Sequence, residues 1–331
     1  MPQLLIIEPA SPIQVSGGYR YNAQLAGALR ARGEGDVLRT NTPEQILKYP
    51  GCCALLDSLW FTTPPPADFQ RRLQASGISL FLLGHYFPPS NPVLCIQEKN
   101  HWLACLRKWI PLAEAIVITG QRALTDWSGL VSPDRVHVAP PAIDIRAKTE
   151  SSFEQGLRLL TIGAVTEAKL PLALLQHLAC LSDAQFQWKI AGSSTKDPDH
   201  YKACLAAVDH AGIADRVRFV GELEHQQILD ELLLADVYLA ASQFESFGIA
   251  SAEALSAGLP LIGFDAGDLP LWAPNQPGCL IIQQGRFAEF AAVVKRWIHG
   301  GRAALPPKSQ PCLFETSWDA VAGRVLDAVR R

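Results

Sequence analysis

The chain has 331 residues, 48% of them hydrophobic and 18% charged, with a formal net charge of −3. That is enough apolar material for two domains with cores of their own, and no run of five like charges marks a nucleic-acid partner. Its eight cysteines are scattered without a C-x-x-C pair and its eight histidines show no ligand spacing, so a reduced, intracellular protein without a protein-built metal centre is expected.

In chain order, the apolar run Leu4–Ile7 reads as a buried strand cut short by Glu8. It is too short for a signal peptide and lacks a basic region, and no apolar run is long enough to span a bilayer. Further strands are expected at Val37–Arg39, Cys53–Leu56, Ser79–Leu83, Ala115–Thr119 and Val136–Ala139, with helices between them, notably Tyr19–Ala31 and Cys95–Trp109. Pro140-Pro141 and the charged segment 146–155 then read as an interdomain linker. The alternation restarts: strand Leu157–Ile162, helix Leu170–Leu181, strand Gln187–Ala191, helix His200–His210, strand Val217–Val220, helix Gln226–Leu234, strand Val237–Ala240. A short helix, strand Pro260–Phe264, helix Phe287–His299 and, after a Pro-rich stretch at 305–311, an amphipathic helix Ser317–Val329 complete the series. Strands alternating with helices argue for parallel α/β layers. The expected architecture is two Rossmann-like domains facing across a cleft, residues 1–145 and 157–311 with the linker at 146–156. A cleft of that kind is the default ligand site.

The stretch 242–260 carries the strongest chemical signal. Phe247-Gly248 should open a helix just past the carboxyl end of a strand, where its first N–H groups suit a phosphate. Glu245 precedes that helix and Glu253 lies about two turns into it, so their backbones are on the order of 12 Å apart. The bland alternative is two glutamates on an exposed helix. Gly163 and Lys169 follow the first strand of the second half, where a lysine suits charge developing on a leaving diphosphate; a solvated lysine at a helix start is the alternative. Ser16-Gly17-Gly18-Tyr19 lies between the first strand and its helix, allowing close backbone approach to a phosphate or sugar, yet it lacks the G-x-G-x-x-G spacing and is also an ordinary turn. His85 and Asp57 end strands at the cleft edge, Asp57 reading mainly as a cap. Trp102 and Trp109 share a helix with His101, Arg107 and Lys108; packing on the first domain is preferred over a membrane-surface contact.

The Glu245/Glu253 pair, with Phe-Gly ahead of an Ala-rich helix ending in Gly-Leu-Pro, resembles the motif of the retaining glycosyltransferases of family 4. That resemblance implies the GT-B fold, with the last helix (312–331) returning to the first domain. It assigns the sugar hydroxyls to Glu245, the donor phosphates to Phe247, Gly248 and Ile249, and the ribose to Glu253. Lys169, beside Gly163, would stabilise the leaving group. Gly17 and Gly18 would lie beside the donor phosphates, the backbone at Val220-Gly221 beside the nucleobase, and His85 near the reacting sugar or acceptor. Asp265-Ala-Gly267 matches a further family turn close to the donor. The family usually carries an arginine directly after the glycine matched by Gly163 or, in some subsets, just before the lysine matched by Lys169; this chain has Ala164 and Ala168 at those positions.

The implied activity is transfer of a hexose-type sugar from a nucleoside diphosphate (UDP or GDP) donor to an acceptor hydroxyl on a glycan, lipid or small molecule. No bound cofactor and no essential metal are implied. The implied location is the cytoplasm, with the inner membrane face available for peripheral contact through the first domain. The first 150 residues hold 14 Lys and Arg against 12 Asp and Glu and the remainder 15 against 20, a contrast compatible with an anionic acceptor or with surface noise. A sugar phosphorylase on the same fold and a non-catalytic partner subunit are the alternatives.

Overall fold

In both halves the apolar runs become parallel strands, the central ones buried on both faces, which is why those read as near-continuous hydrophobic stretches. The computed structural model describes residues 3–10, 16–143, 156–178, 181, 185–307, 314–315 and 317–330. The chain divides into two compact units, one of residues 1–142 together with 315–331, the other of 143–314. The expected linker lies, Gly156 apart, outside the described residues, as does most of the Pro-rich stretch.

The first unit contains β1 (Leu4–Pro9), α1 (Gly17–Ala31), β2 (Gly35–Thr40), β3 (Cys53–Asp57), α2 (Phe69–Ala75), β4 (Ser79–Gly84), α3 (Ile96–Trp109), β5 (Ile116–Ile118), α4 (Ala123–Ser128) and β6 (Val136–Val138). Its sheet order is β2-β1-β3-β4-β5-β6, all pairs parallel. One face is covered by a core around Trp102, Trp109 and Phe61, so the tryptophans of α3 pack inward. The other face carries Tyr21, Leu25 and Leu29 of α1, packed with Val321, Val325 and Leu326 from the C-terminal helix Trp318–Val329.

The second unit runs β7 (Leu157–Ile162), α5 (Leu172–His177), β8 (Phe186–Ala191), α6 (Pro198–His210), β9 (Val217–Gly221), α7 (His225–Leu234), β10 (Val237–Ala240), α8 (Ile249–Ser256), β11 (Leu261–Phe264), α9 (Leu269–Trp272), β12 (Cys279–Ile282) and α10 (Phe287–Gly300); the C-terminal helix of the first unit is α11. Read from its far edge the sheet is β9-β8-β7-β10-β11-β12, the doubly wound order whose direction reverses between the first and fourth strands. The switch point therefore falls between β7 and β10, which pair in parallel. In the first unit the corresponding point lies between β1 and β3. Open α/β sheets bind ligands beyond the carboxyl ends of strands at such points, so the loops after β1, β3, β7 and β10 are the places to look.

Three expectations need correction. Glu8 does not end β1, which continues to Pro9, because the Arg39 guanidinium on the neighbouring β2 donates to its carboxylate at 2.6 Å. The helix expected from Leu170 starts at Leu172: Pro171 is its N-cap, and a residue before proline is steered away from the helical region. Strand β12, only four residues at a sheet edge, went unanticipated. Among the described residues no helix is long and apolar enough to cross a membrane.

Candidate functional site

The switch point of the second unit brings Lys169 and Glu245 together. Lys169 lies in the loop after β7 and Glu245 in the loop after β10, and Gln243 staples the two loops. Its backbone N–H donates to Ala168 O at 2.8 Å and its side-chain amide to Glu167 O at 3.2 Å. The Lys169 ammonium donates to Phe244 O at 3.0 Å and lies 2.7 Å from Glu245 Oε1. Both side chains are partly exposed, so the ion pair is screened and contributes at most about 1 kcal/mol. An anionic ligand can therefore draw the ammonium away at little cost. Behind the loop, the His200 ring on α6 donates from Nε2 to Leu170 O at 2.9 Å, and Glu167 Oε2 accepts the Leu172 N–H at 3.1 Å.

Gly248 caps α8 in the left-handed region (φ 99°), and no side-chain oxygen reaches the helix's first amides from the cap. The N–H groups of Gly248 and Ile249, with the positive end of the dipole, are the phosphate-compatible feature anticipated for this segment, and Phe247 lies one residue ahead of the cap. The turn after β11 holds this segment. Asp268 N–H donates to Phe247 O at 3.0 Å, and Gly267 (φ 56°) sits so close that a Cβ there would lie 2.7 Å from Phe247 O and 2.8 Å from Glu245 Cβ. Glu253, about one turn into α8, is 2% exposed, which removes the reading of two glutamates on an exposed helix. Tyr238, a buried phenol on β10, was not anticipated; burial pushes its pKa up, and the Glu245 and Glu253 carboxylates push it further in the same direction. A hydroxyl-bearing side chain in the otherwise apolar run Val237–Ala240 was the available signal.

Gly163 and Val220-Gly221 are linked through Gly192. Gly163 N–H donates to Ala191 O and Gly192 N–H to Gly221 O, both at 2.8 Å, and a Cβ on Gly192 would lie 2.0 Å from Gly163 O. The β8–β9 register runs Ile190↔Phe219 and then Ala191↔Gly221, so Val220 bulges out of the ladder and is 37% exposed. Its backbone is thereby removed from strand pairing.

In the first unit Gly17 and Gly18 do not form a turn ahead of the helix. They are its first residues, because Ser16 caps α1 and accepts the Tyr19 N–H at 3.5 Å. Gly18 admits His85: a Cβ would lie 3.3 Å from the ring's Cδ2. Around His85 the switch point holds a polar cluster that sequence reasoning only partly found. Asn22 Nδ2 donates to Glu8 Oε2 at 2.9 Å and to Asp57 Oδ2 at 2.6 Å, while His85 Nε2 lies 2.8 Å from Asn22 Oδ1. Asp57 also caps the turn after β3, accepting the Leu59 N–H at 2.8 Å. Burial pulls the His85 pKa below its ordinary value, partly offset by the Asp57 carboxylate 3.7 Å away.

Two parallel six-stranded sheets with flanking helices and a phosphate-compatible switch point define a GT-B protein. Solved structures share the fold: sucrose-phosphate synthase from Thermosynechococcus elongatus superimposes with a TM-score of 0.72 at 16% identity, covering 100% of this chain and 94% of that one. Anabaena HepE, solved with UDP and glucose, gives 0.72 at 14% identity, covering 100% and 98%. The model of the family described as glycosyl transferases group 1 matches residues 144–308, and the chain belongs to that family through its second unit. Among curated relatives, the D-inositol 3-phosphate glycosyltransferase of Xylanimonas cellulosilytica is 27% identical over 227 residues, 59% of this chain and 51% of the relative. The 2-deoxystreptamine glucosyltransferase of Streptomyces kanamyceticus is 29% identical over 179 residues, 53% of this chain and 45% of the relative. The matches thus span about half the length of these relatives.

Proposed function

We propose that the protein is a retaining hexosyltransferase that moves a sugar from a nucleoside diphosphate donor to an acceptor hydroxyl. The observation that carries this reading is Lys169 held 2.7 Å from Glu245, in the loops of the switch point that also leads into the Gly248 cap of α8. In this reading the amides of Phe247 to Ile249 and the Lys169 ammonium take the diphosphate, preorganised for the charge that grows as it leaves. Glu245 orients the sugar hydroxyls, Glu253 takes the ribose, and the backbone at Val220-Gly221 meets the base. The acceptor attacks on the face from which the diphosphate departs, and a departing phosphate oxygen takes the acceptor proton. No bound cofactor and no essential metal ion enter this reading, with Lys169 as the cation. HepE has been solved with UDP-glucose, which makes UDP the first nucleotide to try.

The test is thermal stabilisation by UDP, GDP, ADP and inorganic phosphate, in wild type and Lys169→Ala. A ligand at about 100 times its dissociation constant adds about 2.7 kcal/mol. The expected outcome is stabilisation by one nucleoside diphosphate, lost in the variant, followed by sugar transfer from the matching donor. Stabilisation by phosphate alone would replace the transferase with a phosphorylase. No stabilisation by any of the four would favour a non-catalytic subunit, the reading to which Ala164 and Ala168 point.

A further inference from the structure

Asn22 is fully buried on α1, with a carboxylate on either side of its amide nitrogen and an imidazole at its amide oxygen. Glu8 comes from β1, Asp57 from the end of β3 and His85 from the residue after β4, so three strand ends converge on one side chain. An ionised carboxylate only accepts hydrogen bonds. With Glu8 Oε2 and Asp57 Oδ2 both within 2.9 Å of Nδ2, the two N–H bonds of the amide are committed and its oxygen must face His85. That oxygen, 2.8 Å from His85 Nε2, also only accepts, as does Asp57 Oδ2 at 3.7 Å. Nε2 must therefore carry the proton. Arg39 on β2 balances the arrangement by donating to Glu8 Oε1 at 2.6 Å. Tyr21 closes the other side edge-on at 4.9 Å, with its hydroxyl committed to Ala139 O.

We propose that Asn22 is a positioning residue that holds His85 as the Nε2–H tautomer and so confines the ring's proton exchange to Nδ1. The idea rests on the transferase reading for its purpose: with Nε2 protonated the ring's one lone pair is on Nδ1, so any hydrogen bond that His85 accepts, a substrate hydroxyl's included, is accepted there. The tautomer itself does not depend on that reading. Neutral imidazole at neutral pH agrees with the lowered pKa of His85; Asp57 faces it directly, and the Glu8–Arg39 pair is linked to it through Asn22.

The experiment is long-range 1H–15N correlation NMR on the full chain labelled with 15N-histidine, with His85 identified by the signal lost in His85→Gln. The wild type is expected to show His85 as the Nε2–H tautomer at pH 7.5. Asn22→Ala is expected to convert it to the other tautomer or a mixture, with transfer falling at least tenfold in kcat while the KM for donor is unchanged. Asn22→Asp, whose protonated carboxyl has the amide's shape, is expected to restore the tautomer and serves if the alanine variant does not fold. An Nδ1–H or mixed wild-type signal overturns the proposal, and so does an Nε2–H signal that survives in a folded Asn22→Ala protein. A correct tautomer in a protein that transfers no sugar from any donor would sink the transferase reading and leave this assignment standing.

Discussion

Lys169 is oriented before any ligand arrives. Of its three donors, one is committed to Phe244 O and one to Glu245, so the ammonium is aimed at the loop that leads into α8. Lys169→Ala is expected to weaken nucleoside diphosphate binding at least tenfold, about 1.4 kcal/mol, by isothermal titration. Glu245→Gln keeps the Phe244 carbonyl contact, so it should retain nucleotide affinity within a few-fold and lose turnover instead. Equal losses of affinity in the two variants would refute this division of labour. His85 makes a second prediction. Its folded-state pKa lies below the ordinary 6.5, so as pH falls through that value the unfolded chain binds a proton more readily than the folded one. The stability that neutral His85 contributes is present above pH 6.5 and lost as pH drops toward the folded pKa. Urea unfolding at pH 7.5 and 5.5 should show a smaller acid loss in His85→Gln than in wild type, and an equal loss would refute the assignment.

At the scale of elements, the glycine of a turn decides where Glu245 sits. Gly267 and Gly285 share a left-handed backbone, φ 56° and 79°, but a Cβ on Gly285 meets open space while one on Gly267 runs into Phe247 O. Gly285→Ala should cost only the conformational strain, about 1–2 kcal/mol. Gly267→Ala should add roughly 1–3 kcal/mol of overpacking and also weaken nucleotide binding, because Phe247 and Glu245 must shift. Thermal melts with and without nucleotide separate these effects; equal behaviour of the two variants would show that the turn does not position the loop. This dependence was not legible in the sequence, where Asp265-Ala-Gly267 reads as one more turn. What was legible were features with a local period. The buried strands announced themselves as apolar runs, and the α8 segment as a helix after Phe247-Gly248. The Lys169–Glu245 pairing joins residues 76 positions apart through Gln243, and no local pattern encodes it. His85 and Asp57 were legible as strand-end residues, but Asn22, which joins them, was not: an asparagine within an amphipathic helix looks exposed until Glu8 and Asp57 are placed beside it. Gly17 and Gly18 were misplaced because Ser16, a good N-cap, was read only as part of a turn.

For the whole molecule, the consequential feature is that the first unit is discontinuous, residues 1–142 being completed by 315–331. Two kinds of contact attach α11. Ionic ones lie at the surface: Arg32 donates to both carboxylate oxygens of Asp319 at 2.5 and 2.7 Å, and Arg330 pairs with Glu34. The apolar ones are buried, with Val321, Ala322, Val325 and Leu326 at 0–3% exposure against Leu25 and Leu29 of α1. Magnitudes decide between them. Exposed ion pairs are screened and their median contribution is small, whereas truncating a buried leucine costs about 2–5 kcal/mol. Leu326→Ala is therefore expected to lower the melting temperature by several degrees and Asp319→Asn hardly at all. Arg32 holds the Asp319 carboxyl below its ordinary 3.8, so whatever the pair contributes is present above that pH and lost only as pH falls through the folded value, outside the neutral range. The loss in Leu326→Ala should also reach His85, because Tyr21 packs edge-on against both Trp318 of α11, at 5.3 Å, and His85. Hydrogen exchange read at α1 and at the end of β4 checks this. Faster exchange at both sites in Leu326→Ala, with Asp319→Asn unchanged, is the expected pattern. Faster exchange confined to α11 itself would mean that the helix is an appendage and the first unit is complete without it.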